Sequence, residues 1–298
     1  MLRREVRPGA RGAREGGRAV EGARRPPLPP ALRLATWPLR LYVRRAPWTR
    51  GKGFVQWRLL RPLLPPLPAT FVMTIPMLDE PELELAYRDL VGLDALIHGD
   101  LEPAEARVLC ERAAPRTCAI DVGAHAGYFT LVLAAAVGPG GRVLAFEPYE
   151  PAVALLRANL ARNTVTNVDV YASAAGAHDG FVDLAVNDKD AMLTSRADGC
   201  GRRVRVPCVR LDAAWREAGA PPVSALKVDV EGAELSVLRG GPEVIQRCRP
   251  PILLEANTPE ELAPLVAELE PLGYRRSTPP GFAPRNHLFE AQPPYTRP

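Results

Sequence analysis

The sequence predicts an α/β protein built on a mostly parallel sheet. From residue 118 onward, short apolar runs alternate with longer segments whose apolar residues recur at helical spacing. Gly123 and Gly127 stand where the first such run gives way to the first such helix. Carboxylates fall at the ends of successive runs, and the carboxyl ends of strands are where an open α/β sheet binds ligands.

The chain begins outside that pattern. Residues 1–30 are rich in Arg, Gly, Pro and Ala and lack the apolar surface to offset ordering entropy, so they are predicted to be disordered. Residues 31–69 read as a basic arm, in which Leu32, Leu34, Trp37, Leu39, Tyr42, Trp48, Phe54, Trp57 and Leu60 are interleaved with arginines. Such a segment suits an arm packed over the body, or peripheral contact with an anionic membrane through residues 31–66. Residues 1–66 carry 16 Lys+Arg against 3 Asp+Glu, a net +13, and the rest carries 22 against 31, a net −9. The body is therefore acidic, and nucleic acid is not its expected partner.

One domain is expected over residues 70–292. Thr70–Ile75 alternates as a strand does, and 81–96 reads as a short helix. A helix with proline in its first turn follows over 102–112 and leads to the strand 118–122. The helix after Gly127 begins with Phe129-Thr-Leu-Val-Leu. Then come strand 142–147, helix 151–162 and strand 168–172. The rhythm next changes to an antiparallel pair, 181–186 with 204–211. Strand 226–230, helix 232–240, strand 251–255 and helix 259–269 restore it, and two late strands lie near 274–276 and 287–290.

The five cysteines include no C-x-x-C pair and read as reduced thiols, although Cys200 and Cys208 could meet across a hairpin. No apolar run is long enough to span a membrane, and no apolar leader is evident, so a cytoplasmic enzyme is expected.

The glycine turn is D-x-G-x-x-x-G, not the G-x-G-x-x-G of dinucleotide enzymes. Asp121 precedes it, which would repel a pyrophosphate and attract an ammonium. Glu147 ends the next strand, where a carboxylate can accept ribose hydroxyls. A ligand with a ribose, a cationic amine and no phosphate is better matched by S-adenosylmethionine than by NAD.

Three runs extend this reading. Ile120–Thr130, Val137–Pro148 and Leu226-Lys-Val-Asp-Val-Glu-Gly-Ala-Glu-Leu-Ser-Val-Leu-Arg-Gly240 strongly resemble the FkbM family of S-adenosylmethionine-dependent methyltransferases. The resemblance covers roughly residues 70–290 and leaves residues 1–66 outside. It implies the class I methyltransferase (Rossmann-like) fold, a seven-stranded mixed sheet flanked by helices. It also implies methylation of hydroxyls on sugars, glycans or natural products. Asp121, Gly123, Ala124 and Gly127 would hold the methionine end, and Glu147 with Pro148 the ribose. The 174–180 loop would border the adenine, with Asp179 as the polar contact and His178 as a weaker one. Asp229 and Glu231 would face the methyl group and the incoming hydroxyl. Where the family usually has Asn, this chain has His125.

Asp229, Glu231 and Glu255 are the predicted catalytic carboxylates, acting as a general base or by stabilising the sulfonium. A divalent cation held by these three is an alternative; no metal is assigned. The rival functions are an NAD-type oxidoreductase and a non-catalytic module attached through its arm. The acceptor is expected to be a small molecule or a glycan.

Overall fold

The structure is a computed structural model that describes residues 30–45, 55–64, 69–76, 78, 81–87, 89–187, 192–194 and 202–292. The tail expected to be disordered lies almost wholly outside these residues, as do Trp48, Phe54 and Cys200.

A helix, α1 (Pro30–Arg45), and two short helical turns over 55–63 precede the hairpin β1 (Thr70–Thr74) and β2 (Glu82–Ala86). Helices α2 (Leu90–His98) and α3 (Pro103–Arg112) lead to β3 (Cys118–Val122), α4 (Tyr128–Val137), β4 (Arg142–Phe146), α5 (Glu150–Arg162) and β5 (Val168–Tyr171). Strands β6 (Ala174–Gly176), β7 (Gly180–Asn187), β8 (Met192–Thr194) and β9 (Arg203–Arg210) follow. The chain closes with α6 (Leu211–Glu217), β10 (Val223–Val228), α7 (Glu234–Gly240), α8 (Pro242–Cys248), β11 (Ile252–Glu255), α9 (Pro259–Leu269), β12 (Tyr274–Ser277) and β13 (Asn286–Ala291).

Seven strands form one mixed sheet in the order β12-β13-β11-β10-β3-β4-β5, as the sequence predicts. The five from β11 to β5 are parallel, and β13 and β12 join antiparallel. All five residues of β3 are buried, because helices cover both faces of a parallel sheet. Its side chains alternate between two cores. Ala119 faces the core shared with α4 and the β1–β2 hairpin, whereas Ile120 and Val122 face the core shared with α7 and α8. Successive strands lie on opposite sides of β3, so the chain reverses its winding there and opens a crevice at the carboxyl ends.

One expectation is corrected. The single helix over 81–96 is instead β2 followed by α2. Leu83 and Leu85 alternate with glutamates, are fully buried and pair with Met73 and Phe71 of β1, a strand period. Asp89 then starts α2 by accepting the Gly92 amide at its N-cap. The expected antiparallel pair is present as β7–β9, and it lies in a separate four-stranded sheet, β6-β9-β7-β8, in which β6 runs parallel to β9. Helices α6 and α8, too short for a clear period, were not anticipated.

The arm packs through one side. Leu60 and Leu64 are buried in the same core as β1, β2 and α4, and Leu39, Tyr42 and Val55 lean on it. No helix among the described residues is long and apolar enough to cross a membrane.

Candidate functional site

A cleft of about 1910 Å³ opens at the carboxyl ends of β3, β4, β10 and β11 and is walled by α2 and the 98–105 segment, the second sheet and the 278–285 loop. The turn after β3 forms part of its floor. Gly123 (φ 79°) and Gly127 (φ 96°) are left-handed, and so is His125 (φ 49°). The Gly123 and Ala124 amides both donate to the Phe146 carbonyl, at 2.9 and 3.0 Å, tying the turn to β4. A Cβ on Gly123 would stand 1.7 Å from the Asp229 carbonyl oxygen, so glycine is what lets the turn lie against the end of β10.

Asn159 fixes the turn from the far side. Fully buried on α5, it donates to the Ala126 carbonyl (2.8 Å) and the Glu84 carbonyl (3.0 Å) and accepts the Glu84 amide (2.7 Å). One side chain thus joins the glycine turn to the β1–β2 hairpin. Its only sign in the sequence is an amide among the apolar positions of a helix.

Glu147 lines the cleft. Its Oε2 accepts the His125 amide and its Oε1 the Tyr149 amide, each at 2.8 Å. Both oxygens are oriented by backbone, and each keeps a further lone pair for a ligand. Burial raises the carboxyl above its ordinary value, and the nearby His125 and these amides oppose the rise. Gly123, Ala124 and Pro148 line the cleft as well, while Gly127 starts α4 behind it.

Asp121 is placed differently from expectation. It is fully buried and does not line the cleft. Position 121 shares the side of β3 taken by Ala119, so its carboxylate lies under α4, where Thr130 Oγ1 donates to it at 2.6 Å. The cation beside it belongs to the chain itself. Lys227 Nζ is 3.5 Å from Asp121 and 3.7 Å from Asp229, and it donates to the Gly123 carbonyl at 2.7 Å. Burial alone would lower the Lys227 ammonium, but the two carboxylates outweigh it and hold it above its ordinary value.

Asp179 also needs correcting. The residues that line the cleft after β5 are Ser173 to Gly176. Beyond them the chain turns away, with the Ala177 amide donating to Ser236 and Asp179 accepting the Arg210 amide at 2.8 Å. Neither Asp179 nor His178 reaches the cleft.

The three predicted catalytic carboxylates do converge. Asp229, Glu231 and Glu255 each offer an oxygen within 4.8 Å of the others. Glu231 is left-handed (φ 53°), an uncommon state for a non-glycine residue. The turn that carries it is held by Glu234, whose carboxylate accepts the Val230 and Gly232 amides at 3.1 and 3.2 Å. Burial, Asp229 and Glu231 push the Glu255 carboxyl up to about 9, and Arg285 opposes the rise. Arg285 of the 278–285 loop reaches Glu255 at 2.9 Å and Glu102, before α3, at 2.6 Å. Arg285 and Glu102 were missed because neither sits at a strand end.

The described cysteines, Cys110, Cys118, Cys208 and Cys248, are free thiols, and burial pushes Cys118 up to about 12. Of these, Cys208 lines the cleft.

Comparison with known proteins adds to this geometry. The chain is 30% identical over 165 residues to the AMB antimetabolite synthetase AmbE of Pseudomonas aeruginosa, covering 42% of this chain and 8% of that protein. Against the crystal structure of Methyltransferase FkbM from Methylobacillus flagellatus KT the identity is 20% and the TM-score 0.43, over 66% of this chain and 52% of that one. Against a SAM-dependent methyltransferase from Aquifex aeolicus they are 18% and 0.37, over 62% and 87%. The chain thus spans about half the length of the first of these structures and a small part of the synthetase. Residues 121–276, just over half of the chain, match the family described as the Methyltransferase FkbM domain, and they contain the glycine turn, Glu147 and the Asp229–Glu231 turn. This protein therefore belongs to the FkbM methyltransferase family.

Proposed function

We propose that this chain transfers a methyl group from S-adenosylmethionine to a hydroxyl oxygen of a sugar, glycan or natural-product acceptor. The observation that carries the reading is Glu147. Its carboxylate faces the cleft, both oxygens are pre-aimed by backbone amides, and each can still accept a vicinal ribose hydroxyl. The turn beside it has only Gly123 and Gly127, without the third close glycine of a pyrophosphate cradle. A volume of about 1910 Å³ exceeds the roughly 300–1,000 Å³ of a single drug-sized site and leaves room for an acceptor.

When bound, S-adenosylmethionine supplies a methyl group already activated on its sulfonium. The protein has to align the acceptor and remove one hydroxyl proton. Asp229 and Glu231 stand at the convergence point and take that role. Glu255, whose carboxyl burial and its two acidic neighbours hold above its ordinary value, positions the pair rather than acting as the base. Lys227 and Arg285 balance part of the charge that the carboxylates bring together.

Isothermal titration with S-adenosylmethionine and with NAD tests the cofactor, and tight NAD binding with none for S-adenosylmethionine would overturn the reading. Radiolabelled methyl transfer to a panel of hydroxylated acceptors tests the reaction. Glu231→Gln should leave cofactor affinity within about twofold and lower turnover by roughly 10²–10⁴, the usual share of a general base. Normal turnover in that variant would remove Glu231 from the role.

A further inference from the structure

We propose that the arm, residues 30–64, docks this protein onto an anionic lipid surface through the side that faces away from the body. Among the described residues five large apolar side chains are exposed, and four belong to the arm: Leu34 (80%), Trp37 (59%), Leu59 (43%) and Leu63 (47%). They are not the residues that hold the arm in place. On α1 the inward side is Thr36, Leu39 and Tyr42, and on the 55–63 turns the packing residues are Val55, Leu60 and Leu64. Leu34 and Trp37 are three apart on the opposite side of α1 and share a face, and Leu59 and Leu63 are exposed on the two turns that follow. The arm therefore has two apolar sides, one already used.

Charge selects the occupant. Arg45 and Arg58 are exposed on the same two segments, and residues 1–66 carry a net +13 against −9 for the remainder. The acidic body is already engaged through the inner side and does not cover the outer one. Nucleic acid would satisfy the arginines but leave four apolar side chains in water. A bilayer with anionic headgroups satisfies both: Trp and Leu enter the headgroup–acyl boundary, and arginines meet the phosphates. With no spanning helix among the described residues, the attachment is peripheral and reversible.

Co-sedimentation of the full chain with vesicles of phosphatidylcholine alone, and of phosphatidylcholine with phosphatidylglycerol, tests this directly. Binding is expected to the mixed vesicles, to weaken in high salt, and to fall at least tenfold in a Leu34→Ser, Trp37→Ser, Leu59→Ser, Leu63→Ser variant. These positions are exposed, so that variant should keep its melting temperature. Failure to bind the mixed vesicles, or binding undiminished in the variant, would overturn the proposal. So would light scattering that showed a dimer of the wild type and a monomer of the variant, since the face would then belong to a second copy. None of these readouts depends on methyl transfer.

Discussion

Lys227 and Asp121 are register partners on the adjacent parallel strands β10 and β3, and their charges meet 3.5 Å apart in the interior. Removing one partner of such a pair leaves the other buried and uncompensated, which costs about 3–5 kcal/mol. Lys227→Met should therefore lower the melting temperature by roughly 10 °C. The double variant Lys227→Met with Asp121→Asn should recover part of that. Equal melting temperatures for the single and double variants would show that the pair is not coupled.

Glu147→Ala should weaken S-adenosylmethionine binding by about 10²–10⁴-fold, because two hydrogen bonds to a charged acceptor contribute roughly 1.5–3 kcal/mol each. Calorimetric titration measures this, with circular dichroism confirming the fold. Unchanged affinity would separate Glu147 from the cofactor.

The Glu255 carboxyl is raised from 4.5 to about 9 in the folded protein. Between those values the folded form holds a proton that the unfolded chain has released, so stability falls as pH rises through that window. Glu102, Glu147 and Glu234 are raised too and act with the same sign. Melting curves from pH 5 to pH 9 should show this slope, and Glu255→Gln should flatten it. A slope unchanged by the substitution would assign it to the other three.

Gly123→Ala combines a left-handed backbone with a collision against the Asp229 carbonyl, and a loss of roughly 2–5 kcal/mol follows together with loss of cofactor binding. Gly99→Ala is the matched control. It has a similar φ of 83° but nothing within 4 Å of the added carbon, so the loss should be only about 1–2 kcal/mol. Similar losses in both would mean that strain, not contact, dominates at Gly123.

Dialysis against a chelator should leave methyl transfer unchanged if Asp229, Glu231 and Glu255 handle a proton. Loss of activity that magnesium restores would turn the trio into a cation site.

The parallel sheet was legible because β3, β4, β10 and β11 are compact apolar runs, each with a helix after it. The convergence of Asp229, Glu231 and Glu255 was legible for the same reason, since strand ends meet at one rim. What escaped was direction and distance. A strand residue points to one of two faces, and Asp121 points under α4, which spacing alone does not tell. Asp179 escaped because β6 continues into a second sheet and carries the polar half of its loop away. Arg285 comes from a proline-rich loop with no period, and Asn159 acts through backbone groups far apart in sequence. The alternation of Glu82 to Ala86 was present in the sequence, but it sat beside a true helix and was absorbed into it.

Two walls of the cleft come from separate sheets. Its cofactor side is built from strand ends in the seven-stranded sheet, where Gly123, Glu147 and Asp229 are locked to one another through backbone. Its other wall comes from β6, β7 and β9, which pair only among themselves and β8. On the proposed reading, substitutions on that wall reshape the chamber offered to the acceptor while the Glu147 side stays as it is. Such a partition gives a lineage room to exchange one methylated product for another without rebuilding the donor's seat.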